Sequence, residues 1–262
     1  MIKVPKTVYP TNIELDYYSD IKDLHEELTD SVLIFLMALS KDGNKAKEKT
    51  REIDLISVPL LILNNQFDQF RNKWNAQIDS YNFSSTSNQL VNFSKNNFQR
   101  QLKAVNRNKN LSVNNVKPTL DKKLNEQKQA FITESKIKLK GTGNALIDKI
   151  QVAVIDAVKN NKTLNLELID SIIQKSINNI AFNIRDVFGK ALGSITKDIH
   201  KENDIFEFEW TSMRDNRVRP LHQDLDGRIF SYANLPDEGL PGEPPNCRCV
   251  ETPVFRLNNE IN

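Results

Sequence analysis

The chain has 262 residues, of which 39% are hydrophobic and 27% are charged, and its formal net charge is +2. This composition excludes a wholly disordered chain, and with 8 Gly and 10 Pro it favours helices over an all-β fold. Two Cys exclude a disulfide scaffold, and Cys247 and Cys249 lie too close together for an ordinary bridge. The small net charge argues, at first sight, against a nucleic-acid partner.

The first predicted element is a helix in the N-terminal part of the chain. Apolar residues recur there at steps of three and four, at Ile21, Leu24, Leu28, Val32, Phe35 and Leu39. The most apolar run, residues 32–39, is far shorter than the ~20 residues that span a bilayer, so it predicts a buried helix and no integral membrane segment. The N-terminus lacks the charged-then-apolar pattern of a signal peptide. Polar residues 42–44 predict the turn that ends this helix.

Three further helices are predicted before residue 144. One begins at Pro59, which is tolerated in a first helical turn. A second follows polar residues 84–87, which are suited to capping a helix. The Asn- and Lys-rich residues 106–115 predict a loop, and Pro118 opens the next helix. Two glycines indicate a possible break at residues 141–144.

Two helices complete the predicted helical body of residues 1–200. A short one ends near residues 160–161, and the strongest apolar stripe of the chain follows at residues 169–199. This stripe predicts one long helix or two, because Gly189 and Gly193 are weak points. Stripes of this kind indicate a helical core and carry no information about chemistry.

Residues 201–262 have a different pattern, which predicts a small, loop-rich, partly β C-terminal module. Apolar and acidic residues alternate at residues 205–210, as in a half-buried strand. Residues 228–232 and 250–254 are further strand candidates. The chain is therefore predicted to be an α+β protein, with a mostly α-helical body followed by this module. A module this small buries little surface and often needs a metal or a partner to be stable.

The charges are unevenly distributed along the chain. Residues 201–262 carry 7 Lys and Arg against 12 Asp and Glu, about −5, and the other 29 basic and 22 acidic residues leave about +7 for residues 1–200. Residues 95–140 alone carry 12 basic and 3 acidic residues, about +9, which suits sequence-independent contact with double-stranded DNA. A solvated helical face or a surface for an acidic protein are the alternatives. The candidate DNA contacts are Lys95, Arg100, Lys103, Arg107, Lys122, Lys123, Lys136, Lys138 and Lys140.

Three residues of the C-terminal module, His222, Cys247 and Cys249, are candidate metal ligands. Residues i and i+2 of an extended strand point to the same side, so both thiols can face one ion. Zn²⁺ prefers thiolate and imidazole ligands in a closed tetrahedral site, so the sequence allows a structural zinc. The candidates for a fourth ligand are Asp215, Asp224, Asp226 and His200. Two other interpretations stay open: small buried cysteines beside a hydrogen-bonded histidine, and a redox pair.

Catalysis by these residues is the weaker interpretation. Cys with His can form a nucleophile and a base, and nearby Asp residues can act in acid–base chemistry, as in a metal-dependent hydrolase. No pattern for an oxyanion hole, a phosphate cradle or a dinucleotide site accompanies them, so we expect the protein not to be an enzyme. Alternating Asp and Arg residues instead indicate loops joined by charge-assisted hydrogen bonds, with Trp210 as the apolar anchor.

An ordered motif runs through the module. It consists of Trp210, Asp215, Arg217, Val218, Arg219, His222, Leu225, Gly227, Pro241, Gly242, Cys247, Arg248, Cys249 and Pro253. In order and spacing it resembles the C-terminal domain of the phage Mu F-like head morphogenesis family, also called minor head or minor capsid proteins. Residues 184–188 depart from the family, since they keep Arg185 but lack the Thr-Glu pair of many members.

The resemblance implies a structural virion component of low copy number that binds the portal protein and other head or vertex proteins. It implies synthesis in the host cytoplasm and a final location in the head interior or at the portal vertex, beside packaged double-stranded DNA. The expected roles are head assembly and genome delivery. A metal-dependent enzyme and a plain non-specific DNA-binding module are the alternatives, and the resemblance does not decide whether the site holds metal.

Overall fold

The computed structural model describes residues 2–41, 51–108 and 118–256. The helices are α1 (Thr11–Ala38), α2 (Leu60–Ser80), α3 (Phe83–Asn108), α4 (Pro118–Lys159), α5 (Leu166–Glu202) and the short α6 (Pro220–Leu225). The strands are β1 (Glu52–Ile53), β2 (Leu164–Asn165), β3 (Glu207–Thr211), β4 (Ile229–Ser231) and β5 (Val250–Pro253). Helices predominate and the few strands pair antiparallel, so the predicted α+β class is confirmed. In the described ranges no helix is long and apolar enough to cross a membrane.

Two predictions fall wholly or mostly on residues that the structure does not describe. The turn predicted at residues 42–44 lies outside the described residues. The loop predicted at residues 106–115 overlaps the end of α3, which extends to Asn108. The rest of that predicted loop lies outside the described residues.

The chain forms two compact units. The helical unit comprises Tyr17–Tyr81 and Lys136–Asn183, and the tail unit comprises Met1–Asp16, Asn82–Ser135 and Ile184–Asn262. The sequence-based division lies at residue 200, whereas the tail unit also includes the second half of α5. That half of the helix groups with the C-terminal module because its glycines lie close to the backbone of the module's loops.

The core of the helical unit is built from the predicted apolar stripes. The side chains of α2 that are buried recur at helical spacing and are Leu63, Phe67, Phe70, Trp74 and Ile78. The short strands β1 and β2 pair antiparallel, with Ile53 opposite Leu164, and both of these residues are buried. Burial of one face of each helix is therefore what stabilises this unit.

In the helical unit α4 continues through residues 141–144, so the break predicted there is wrong. Trp74 is fully buried, and its Nε1 donates a hydrogen bond to the carbonyl oxygen of Leu139 at 3.1 Å. Gly143 faces this indole, and a Cβ atom at that position would overlap the ring. Close helix packing, and not a turn, is what requires this glycine, and the tertiary contact outweighs its low helix propensity.

In the tail unit β3 lies between β4 and β5 in a three-stranded antiparallel sheet. The register places Phe208 opposite Phe230 and Trp210 opposite Glu251. The strand predicted from alternation and the two further strand candidates are therefore confirmed. The buried cluster beside the sheet consists of Phe208, Trp210, Leu225, Tyr232, Leu240, Cys247 and Cys249.

Residues 2–8 also belong to the tail unit and contact its last strand, which the sequence did not predict. The backbone N–H of Ile2 donates to the carbonyl oxygen of Phe255 at 2.9 Å. The backbone N–H of Thr7 donates to Oγ1 of Thr252 at 3.0 Å, and the Thr7 hydroxyl donates to the carbonyl oxygen of Glu251 at 2.6 Å. These bonds satisfy polar groups along β5 that would otherwise be an open sheet edge.

Candidate metal centre

The three predicted donors, His222, Cys247 and Cys249, are brought together in the tail unit. His222 lies on α6, whose first residue is Pro220, and the two cysteines lie in the extended segment just before β5. His222 Nδ1 is 3.5 Å from the Cys247 sulfur and 3.6 Å from the Cys249 sulfur. All three side chains are buried, and their donor atoms lie within 4.8 Å of one another. The i, i+2 spacing therefore directs both thiols to one side.

The orientation of the His222 ring is set by Glu238, a residue that the sequence analysis missed. Nε2 of His222 lies 3.0 Å from Oε2 of Glu238. A carboxylate only accepts hydrogen bonds, so Nε2 donates to Glu238 and Nδ1 is the ring nitrogen that faces the two sulfurs. A carboxylate behind an imidazole is typical of histidines that bind metals. The only sequence signal was an acidic residue in the turn at residues 236–239 of the same module.

Hydrogen bonding within the pair gives the two thiols different proton affinities. The Cys247 sulfur accepts hydrogen bonds from the Cys249 thiol and, at 3.4 Å, from the Cys249 backbone N–H. These bonds, the thiol first, lower the pKa of Cys247, although burial opposes the shift. The same thiol–thiol bond, together with burial, raises the pKa of Cys249. Cys247 is therefore the sulfur favoured to ionise, and the thiolate is the form of cysteine that binds metals.

The donor set fits zinc in chemistry. Two sulfurs and one imidazole nitrogen match the ligands that Zn²⁺ takes in proteins, and all three donors are buried. Within the described residues no further His, Cys, Asp or Glu joins this cluster, so the described part of the chain offers three ligands.

The candidates for a fourth ligand lie elsewhere or have other partners. Asp215 is bound by Arg248, whose Nη2 is 3.0 and 2.7 Å from its two carboxylate oxygens. Asp226 accepts from the backbone N–H of Ser212 at 2.8 Å, and His200 Nδ1 lies 2.6 Å from the Tyr232 hydroxyl. Asp224 is exposed on α6. The prediction of Asp215 as a ligand is therefore replaced by an ion pair with Arg248.

The remaining motif residues hold the loops around the donors. Arg219 donates to the carbonyl oxygen of Pro245, which precedes the cysteines by two residues. The backbone N–H of Arg217 donates to Asp215 at 3.1 Å, so the Asp also fixes its own turn. Gly227 has a φ of +83° and donates its N–H to the carbonyl oxygen of Trp210 at 2.8 Å. A left-handed φ of this kind favours glycine.

Glycines of α5 bring the helix against the loop that carries the cysteines. A Cβ atom at Gly189 would lie 2.7 Å from the carbonyl oxygen of Cys247, and one at Gly193 would lie 2.5 Å from that of Pro241. On the loop side of this contact, Gly242 has a φ of +90°, and a Cβ atom there would overlap the carbonyl group of Gly189. α5 is thus one continuous helix, and its glycines are contact points for the candidate metal centre.

The basic residues predicted to contact DNA do not form one uniform group. Lys95 pairs with Asp121 at 3.4 Å and Lys123 pairs with Glu202, all in the tail unit. Lys136 and Lys140 both pair with one acid of the helical unit, Asp79. These pairs reduce the positive charge available to a phosphate backbone.

The other DNA candidates differ in their surroundings. Arg100 donates to the carbonyl oxygen of Lys6 at 2.7 Å. Lys103 and Lys122 are exposed, and Lys138 is half-buried. The side chain of Arg107 lies outside the described part of the structure.

The fold and the site define a class, namely mostly helical proteins with a small C-terminal module that carries cysteine and histidine donors. Comparison with known proteins agrees with this class. Residues 148–252 match the family described as "Phage Mu protein F like protein". This match confirms the Mu F-like resemblance, and it begins within α4, well before Trp210.

One relative is similar to part of this chain. A protein of Haemophilus influenzae, described as "Uncharacterized protein", is 35% identical over 150 residues, which are 55% of this chain and 32% of the relative. The chain thus spans about a third of the length of that relative. No solved structure matches.

Proposed function

We propose that this chain is a structural component of the bacteriophage head that binds the portal and acts in head assembly and genome delivery. The match of residues 148–252 to the Mu F-like family carries this proposal. Asp215, one of the acids considered for acid–base chemistry, supports a structural role because it is used in ion pairs with Arg248 and Arg217. Hydrogen bonds from Arg248 lower the pKa of Asp215, and a carboxylate held in this way is a poor general base.

In this role His222, Cys247 and Cys249 hold a structural zinc. Support comes from three buried donors with the chemistry that zinc prefers and from the Glu238 carboxylate that orients the imidazole. The buried cluster of the module is small, and two of its members are the cysteines themselves. Bound Zn²⁺ would supply folding energy where apolar burial is limited.

The portal and its neighbouring head proteins are the first partners in this proposal, and packaged DNA is the second. This order is favoured because Lys95 and Lys123 form ion pairs within the chain, which reduces the positive charge available to DNA. Exposed Lys103 and Lys122 remain as sequence-independent DNA contacts of the tail unit. Affinity for DNA then falls with salt with a log–log slope of about 0.9 for each phosphate contact, and changing both lysines to Gln reduces the slope by about 2. A flat salt dependence would remove DNA from the proposal.

The head function is tested with particles made with and without the protein. Portal incorporation, DNA content and infectivity are measured, and cross-linking identifies the neighbours of the chain in the particle. We expect cross-links to the portal and particles that deliver DNA poorly when the chain is absent. Normal particles with full DNA delivery in its absence would contradict the proposal. Asp237→Asn, a change at an exposed residue, is the matched complementation control.

The zinc is tested by metal analysis of the purified protein. One zinc per chain is expected, and both Cys247→Ser and Cys249→Ser should lose it. Asp215→Asn should retain it, because Asp215 contacts Arg248. A wild-type chain that takes up no zinc would contradict the site, and hydrolytic activity that disappears with the metal would support an enzyme instead.

A further inference from the structure

The candidate metal centre has one ligand fewer than zinc ordinarily takes. The chain supplies His222, Cys247 and Cys249, and no fourth His, Cys, Asp or Glu of the described residues lies with them. A structural zinc is normally closed by four ligands, so three protein donors leave the fourth position to a ligand from outside these residues. This inference rests on the zinc site proposed above.

A cavity of about 30 Å³ gives such a ligand a place. All three donors contribute to its walls, together with Arg217, Arg219 and Arg248. A water needs about 10–15 Å³ of cavity volume of this kind, so one small end group of a ligand fits beside the donors. The cavity therefore selects the end of a small ligand.

The charges around the cavity favour an anion over a neutral ligand. Two thiolates balance the charge of one divalent cation, so the metal and its sulfurs add no net charge. Arg248 and Arg217 both contact Asp215. Arg219 instead donates to the neutral carbonyl of Pro245, and in the described structure no carboxylate pairs with it. The cavity is therefore left with a positive charge on its wall.

We infer that the fourth position accepts an external carboxylate, with its oxygen in the cavity and its charge opposite Arg219. A carboxylate oxygen is a ligand that zinc accepts, and guanidinium groups bind carboxylates strongly. The carboxylate comes from a small acid in solution or from an acidic side chain of a partner. Both sources share the same chemistry at the metal.

The test uses the full chain loaded with Co²⁺, whose visible absorption reports its ligands. Acetate represents a free carboxylate, and a Gly-Glu-Gly peptide with blocked ends represents an acidic side chain. We expect a saturable change of the cobalt spectrum with at least one of them, and about tenfold weaker binding in Arg219→Gln at unchanged cobalt affinity. Arg228→Gln is the control, since Arg228 is exposed and does not line the cavity.

The outcomes separate this inference from the zinc proposal. If cobalt does not bind, the metal site itself is wrong. If cobalt binds and neither acetate nor the peptide changes its spectrum, the metal site stands and the open position is wrong. An anion response that is equal in wild type and Arg219→Gln would overturn the role of Arg219 and with it the inferred carboxylate position.

Discussion

Each unit buries one histidine with its ring edge-on to a tryptophan, but the two histidines have different partners. In the helical unit the His25 and Trp74 ring centroids are 6.1 Å apart, and in the tail unit those of His222 and Trp210 are 5.3 Å apart. Nε2 of His25 bonds to a neutral hydroxyl, that of Ser176, at 2.8 Å. Nε2 of His222 bonds to a carboxylate, and its Nδ1 faces two thiols.

This comparison shows that the partners of a buried imidazole decide whether it is placed to bind a metal. Burial keeps His25 neutral, because desolvation lowers its pKa to about 4. His25 therefore fits a packed helical core, and its Nε2 bonds to a hydroxyl and not to a carboxylate or a thiol. His222 has a carboxylate behind it and sulfur donors in front, which is a ligand arrangement. The helical unit is thus stabilised by apolar packing, and the tail unit also by polar and donor contacts.

Removal of zinc should produce the largest difference between the units. With zinc at 1,000 times its dissociation constant, a chelator should lower the stability of the tail unit by about 4 kcal/mol. Hydrogen exchange of backbone amides measures this locally. Amides of β3 and β5 should lose protection, while those of α2 should keep it. An equal loss of amide protection in α2 would contradict the prediction, because the metal would then stabilise both units.

Acid should destabilise the helical unit through His25. The folded pKa of about 4 lies below the ordinary value of 6.5, so the unfolded chain takes up the proton first as pH falls. The contribution is fully present above pH 6.5 and is lost as pH falls towards 4, by about 3 kcal/mol in total. Denaturant unfolding of wild type and His25→Gln at several pH values measures it. A difference between the two proteins that stays constant with pH would contradict the prediction.

The contact of Gly143 with Trp74 is the next largest effect. Gly143→Ala should destabilise the helical unit by about 1–3 kcal/mol, because the added methyl overlaps a fully buried indole. Gly141→Ala is the matched control in the same helix, with nothing near the new methyl, and should stabilise by about 0.5–1 kcal/mol. Thermal unfolding of both variants measures the pair. Equal effects would show that helix propensity alone acts at these positions.

The role of Glu238 is the smallest of these effects and distinguishes the two histidines directly. Glu238→Gln should weaken zinc binding by at least about tenfold, since a carboxylate partner makes the imidazole a better ligand. Ser176→Ala removes the corresponding partner of His25 and should leave zinc affinity unchanged. Competition with a chelator measures both variants. An unchanged affinity in Glu238→Gln would leave the orientation of His222 to its packing against Trp210.

Local patterns predicted much of the fold and the donors of the site. Apolar residues at steps of three and four predicted the helices, because one face of a helix repeats with that period. Alternation with a period of two predicted β3, the central strand of the tail sheet. The i, i+2 spacing of Cys247 and Cys249 predicted that both thiols face His222, since strand geometry is itself local.

Contacts between distant residues could not be predicted in this way. Glu238 is 16 residues from His222 and meets it only once the turn at residues 236–239 has folded. Asp215 was one of several possible ligands, and the fold instead places Arg248 beside it. Gly143 has the same low helix propensity as any glycine, and only the position of Trp74 shows why it lies inside a helix.

The sequence by itself determined the helical and strand segments, the donor types and the Mu F-like motif, because these depend on residue order and spacing along the chain. Only the tertiary structure decided which polar groups pair, where glycines allow close approach and which three donors of the described residues come together. Pairing and close packing depend on groups brought together from distant parts of the chain, which no local period encodes.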